Sequence, residues 1–124
     1  MTQIKPVYHN PLKYRFPVMA IVSVLHRISG LVLFLSIALW LWVLCGLKAS
    51  PEHYQHTVMA MRSAWLSPIV YVCLLALFYH VLAGIRHLIM DIGFAEDVGS
   101  ARASAWLVIV LEIILAVWLG VSMW

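Results

Sequence analysis

Three apolar runs, at about 18–47, 68–90 and 105–124, decide what this chain can become. A helix crossing a hydrocarbon core of about 30 Å needs about 20 residues, and each run meets that length. In lipid the backbone has to satisfy its own hydrogen bonds, so runs of this kind form helices. With 65% hydrophobic and 10% charged residues among 124, and a mean hydropathy of +0.98, the chain has too little polar surface to coat a soluble globule. The expectation is an all-α integral membrane protein with three transmembrane helices, a single membrane domain over 1–124. No length remains for a separate soluble catalytic unit.

An inner-side arm, 1–17, precedes the first span. It is polar, carries Lys5, Lys13 and Arg15, and is kept from a long helix by Pro6, Pro11 and Pro17. The apolar stretch after it is too long for a signal peptide and has no small-residue cleavage site, so it reads as a retained span. In the first loop, Ser50-Pro51-Glu52 has the form of a helix start, with a capping serine and a first-turn proline. A short interfacial helix is expected there. His53 and His56 are three apart on it and read as solvated loop residues, since two histidines without a third ligand make a poor metal site. Cys45 and Cys73 lie within apolar runs and form no metal-binding spacing. Glu112, near the middle of the third span, has no evident task, whereas Trp40, Trp42, Trp118 and Trp124 suit the outer interface. Loop cations are more numerous around the arm and the second loop, Asp91 to Ser104, than in the first loop, so the positive-inside rule favours a cytoplasmic N-terminus.

Two of the spans carry polar residues that lipid would not choose. The first opens with Ser23, His26, Arg27 and Gly30. The second holds His80, Gly84, Arg86, His87 and Asp91. At about 100° per residue His80, Gly84, His87 and Asp91 share one helix face, and the glycine leaves room for something bulky to approach. Ionisable groups at membrane depth usually face a bundle interior or a cofactor. In the expected topology Ser23, His26 and Arg27 share a level with Arg86, His87 and Asp91, and His80 lies about 10 Å deeper.

A b-type haem suits this layering. His80 would supply a neutral imidazole to iron within the bilayer, and Arg27, His26, Arg86 or His87 would meet the propionates nearer the interface. A single ligand at that depth implies either a five-coordinate iron or, as suits electron transfer, a second histidine from another chain. The competing reading of His80 is a hydrogen bond to a neighbouring helix carbonyl, and that of Arg27 and Arg86 is snorkelling. Asp91 could orient His87 or pair with an arginine. Ser23 and Arg27, four apart, could together hold a quinone carbonyl and the negative charge it gains on reduction.

SVLHRISG at 23–30 and YHVLAGIRHLIMDIGF at 79–94 resemble the two signature motifs of the larger cytochrome b membrane-anchor subunit of bacterial-type succinate dehydrogenase, respiratory complex II. RFPVMAIVS and the SPE loop start are similar too, and the likeness runs from Arg15 to nearly the end. The resemblance implies a helical bundle shared with a second small anchor subunit, beneath a flavoprotein that oxidises succinate and an iron–sulfur subunit that relays electrons. It implies His80 as the axial ligand of a haem b whose other ligand comes from the second anchor. It places Ser23 and Arg27 at a ubiquinone pocket, His26 and Arg27 near the haem propionates, and His87 and Asp91 at the end of the second motif. This subunit would hold no catalytic residue of its own and would not reduce quinone alone, serving the citric acid cycle and electron transport from the bacterial inner membrane. The anchor of a quinol:fumarate reductase, or a cofactor-free structural subunit, are the alternatives.

Overall fold

The structure, a computed structural model, describes residues 16–94 and 97–124. The cations Lys5, Lys13 and Arg15 and the acid Glu96 lie outside these residues, as does most of the arm. Four helices follow one another: α1 (Val18–Ala49), α2 (Pro51–Met61), α3 (Ser67–Asp91) and α4 (Val98–Met123). α1, α3 and α4 are long and apolar enough to cross a membrane, and α1, at about 1.5 Å per residue, is about 48 Å long and exceeds the hydrocarbon thickness.

Small residues set the packing. The buried positions of α1 are Val22, Ser29, Ser36 and Val43, seven apart throughout, the repeat of a left-handed helix seam. Lipid tails do not drive helices together as water does, so close approach at small side chains is what holds such a seam. Val22, Tyr79, Ala83, Ala105 and Val108 form the core where α1, α3 and α4 meet. Two tyrosines tie it to backbone: Tyr79 donates to the Val22 carbonyl at 3.1 Å and Tyr71 to the Ala116 carbonyl at 2.9 Å. α1 and α3 run antiparallel, as do α3 and α4.

α2 starts where expected. Ser50 Oγ accepts from the His53 amide at 3.2 Å, Pro51 occupies the first turn, and Glu52 favours the helix N-terminus. The helix then folds back on the end of α1 so closely that a β-carbon on Gly46 would collide with Thr57.

α4 differs from expectation. It begins at Val98, before the apolar run at 105, because Asp97 caps it by accepting from the Ser100 amide at 3.0 Å. The stretch VGSARASA, about two turns, is too polar to register as a span but helical once capped. The connection from α3 is correspondingly tight. Gly93, with φ 88°, donates to Met90 while Phe94 donates to Ile89, a Schellman closure that needs the left-handed residue glycine supplies.

Candidate functional site

α1 and α3 pair in an antiparallel register that brings the two polar stretches side by side. Ser23 lies against His87, His26 against Gly84, and Gly30 against His80. The result is a stack of imidazoles along the α1–α3 seam. His26 is the middle ring, its centroid 4.2 Å from that of His80, nearly parallel, and 5.2 Å from that of His87, tilted by 44°. Both glycines make room for a histidine of the opposite helix. A β-carbon on Gly30 would stand 3.1 Å from His80 Cε1, and one on Gly84 3.3 Å from His26 Nε2. The space at Gly84 is therefore filled by His26, where the sequence had suggested room for a bulky group.

His80 is held by one edge of its ring. Nδ1 lies 3.2 Å from the His26 carbonyl oxygen and 3.1 Å from Ser29 Oγ. A carbonyl only accepts, so Nδ1 carries the hydrogen and donates, and Nε2 keeps its lone pair. No described residue hydrogen-bonds that nitrogen. The competing reading of His80, a bond to a neighbouring carbonyl, is thus satisfied at Nδ1 and leaves Nε2 free. Nδ1 bound to backbone and Nε2 open is the arrangement of metal-ligating histidines.

The other candidates are distributed unevenly. Ser23 Oγ is 3.2 Å from His87 Nε2. Asp91 is exposed and neither bonds His87 nor pairs with an arginine among the described residues. Arg27 is exposed and makes no hydrogen bond or ion pair with a described residue. His26 Nε2 is buried without a hydrogen-bond partner, so any carboxylate would have to be met through Nδ1. Arg86 contradicts both of its expectations. It is 6% exposed, and donates from Nε to Ser104 Oγ at 3.0 Å and from its terminal nitrogen to the Ala101 carbonyl at 3.1 Å. One residue before His87 on a helix is about 100° away, which turns Arg86 onto α4. Glu112 has a buried carboxyl oxygen with no partner among the described residues.

Ser29 escaped the sequence reading. It is 6% exposed in the α1 seam and is the side chain that reaches His80. In the sequence it is one small residue in an apolar run, and the seven-residue repeat of buried positions that includes it emerges only in the fold.

Among the described residues no group of three or more His, Cys, Asp or Glu side chains is placed to hold a metal ion. The histidines stack; they do not chelate. A site with one free donor suits a metal whose other ligands come from elsewhere, as a porphyrin supplies four nitrogens.

Residues 1–119 match the family model described as the succinate dehydrogenase/fumarate reductase transmembrane subunit. The chain belongs to that family. A cytochrome b556 subunit of succinate dehydrogenase from Coxiella burnetii is 42% identical over the full length of both chains. The subunit of that name from Paracoccus denitrificans is 37% identical over 91% of this chain and 87% of its own. A cytochrome b560 subunit from Reclinomonas americana shows 26% identity over 85% of this chain and 76% of its own. Family and apolar helices together make this a multi-pass membrane-anchor subunit of the succinate dehydrogenase class. Their likeness covers the arm and all four helices.

Proposed function

We propose that the chain is the haem b-binding anchor of a succinate:quinone oxidoreductase, with His80 as one axial ligand of the iron and a second anchor subunit giving the other. The observation that carries this reading is His80 itself: Nδ1 committed to the His26 carbonyl and Ser29, Nε2 unbonded, the ring seated over Gly30. The cytochrome b names of the relatives support it. When bound, the haem supplies reversible one-electron redox chemistry. His80 orients and holds it, while the cation Arg27 offers charge to the propionates and His26 a hydrogen bond through Nδ1, with His87 and Asp91 nearby in sequence.

The flavoprotein and iron–sulfur subunits dock on the cytoplasmic side of the inner membrane, where the positive-inside count puts the N-terminus of this chain. Two electrons leave succinate as fumarate forms, and pass through the iron–sulfur subunit to ubiquinone, which takes up two protons to become ubiquinol. Ser23 donates a hydrogen bond to a quinone oxygen and the exposed Arg27 steadies the charge that builds there during reduction. This chain contributes one wall of that pocket and none of the succinate chemistry.

The test is the reduced-minus-oxidised visible spectrum of the complex purified through this subunit, for wild type and His80→Leu. A b-type α-band in wild type that is lost or shifted in the variant is the expected result. A wild-type complex without such a band removes the haem assignment, and an unaltered band in the variant removes His80 as the ligand.

A further inference from the structure

We infer that Ser29 is a positioning residue for the iron ligand: its hydroxyl, wedged between the His26 carbonyl and His80 Nδ1, fixes the His80 tautomer and lowers the reduction potential of the iron. This rests on the haem reading above.

A hydroxyl has one hydrogen and two lone pairs. Ser29 Oγ donates its hydrogen to the His26 carbonyl at 2.7 Å, so it meets His80 Nδ1 at 3.1 Å as an acceptor. The Nδ1 hydrogen is then shared between two oxygens, the hydroxyl and the carbonyl, both aimed at it from α1. The opposite tautomer would set an Nδ1 lone pair against the carbonyl lone pair. Acceptors on the outer ring hydrogen of a ligating histidine raise the basicity of the ligating nitrogen and fix the ring. A more basic ligand favours the more highly charged ferric state, and so a lower potential.

Serines that bond back to their own helix are common, and this alone would make Ser29 unremarkable. Ser36, one heptad further along the same seam, shows the difference. It too is buried and donates to the carbonyl three residues back, Leu33, at 2.9 Å, yet it bonds no described residue of another helix. Ser29 adds the cross-helix bond, and adds it to the histidine with the free nitrogen. Ser36 is therefore the internal control.

The experiment is a redox titration and low-temperature electron paramagnetic resonance of the haem in purified wild-type, Ser29→Ala, Ser29→Thr and Ser36→Ala complexes. A raised midpoint potential and altered low-spin g values in Ser29→Ala, with restoration by the threonine hydroxyl and no change in Ser36→Ala, is the expected pattern. Loss of haem from a Ser29→Ala complex that still assembles also supports it. If Ser29→Ala does not assemble, Ser29→Cys is titrated in its place and judged by the same criteria. Unchanged potential and g values overturn the inference, and so does an equal shift in the alanine and threonine variants. A wild-type complex without haem overturns the reading on which it rests, an outcome distinct from either.

Discussion

Ser23 Oγ and His87 Nε2, 64 residues apart in the chain, lie 3.2 Å from each other and join the first turns of α1 to the last turns of α3. The hydroxyl proposed to face quinone is thereby braced by an imidazole of the opposite helix. Ser23→Ala removes the donor and its brace on His87, the end ring of the stack away from His80, and leaves the His26–His80 pair as it is. Quinone reductase turnover should fall by about tenfold or more, as for loss of a transition-state donor, while the haem spectrum stays as it is. Unchanged turnover would take Ser23 out of the quinone site.

The glycines of the seam can be tested separately. His26 is clasped between two rings and His80 is bonded at Nδ1, so neither can easily give way to a new methyl group. Gly30→Ala and Gly84→Ala should each lower stability by about 1–3 kcal/mol, the usual consequence of overpacking. Thermal unfolding of the solubilised complex measures this. Gly30→Ala should also disturb the haem band, because its β-carbon meets the ligand ring itself.

Arg86 holds α3 to α4 with two donors set in one planar head. A lysine cannot reproduce that fork, and a methionine leaves Ser104 Oγ and the Ala101 carbonyl without the guanidinium. Both Arg86→Lys and Arg86→Met should destabilise the bundle, the second by about 1–3 kcal/mol through unsatisfied polar groups. Because Arg86 faces α4 and not the histidines, haem in the surviving fraction should keep the wild-type potential. A shifted potential would argue that the guanidinium reaches the propionates after all.

Asp97 gives the start of α4 a pH dependence. The Ser100 hydroxyl, and then its amide, hold the Asp97 carboxyl below the usual carboxylate range. The folded value being depressed, the capping contribution is complete above the unfolded carboxylate value of about 3.9 and is lost as pH falls through the lower, folded one. Hydrogen exchange of the Ser100 and Ala101 amides should accelerate, after correction for intrinsic rates, as that acid range is entered. Asp97→Asn should remove this dependence on pH, since an amide caps without titrating.

The apolar runs determined the three long helices, because a backbone that cannot bond to water must bond to itself, and this follows from composition before any packing is known. The cap at Ser50 was equally legible, being local: a serine and the amide three residues on. The cap at Asp97 is just as local, yet hydropathy, and not helix propensity, sets the expected edge of the third span. His80 stood out as an ionisable group in an apolar run. What it bonds to did not, since the His26 carbonyl and Ser29 lie more than 50 residues away and reach it only when α1 and α3 adopt one particular antiparallel register. The same register turned Gly84 into a seat for His26. Helix rotation then sent Arg86 to α4 while His87, the next residue, joined the stack. Sequence alone determined which residues lie within the apolar runs and which of them a helix puts on one face. Only the tertiary structure decided what each face meets, because the partners come from another helix and their alignment is fixed by small residues packing along the whole seam.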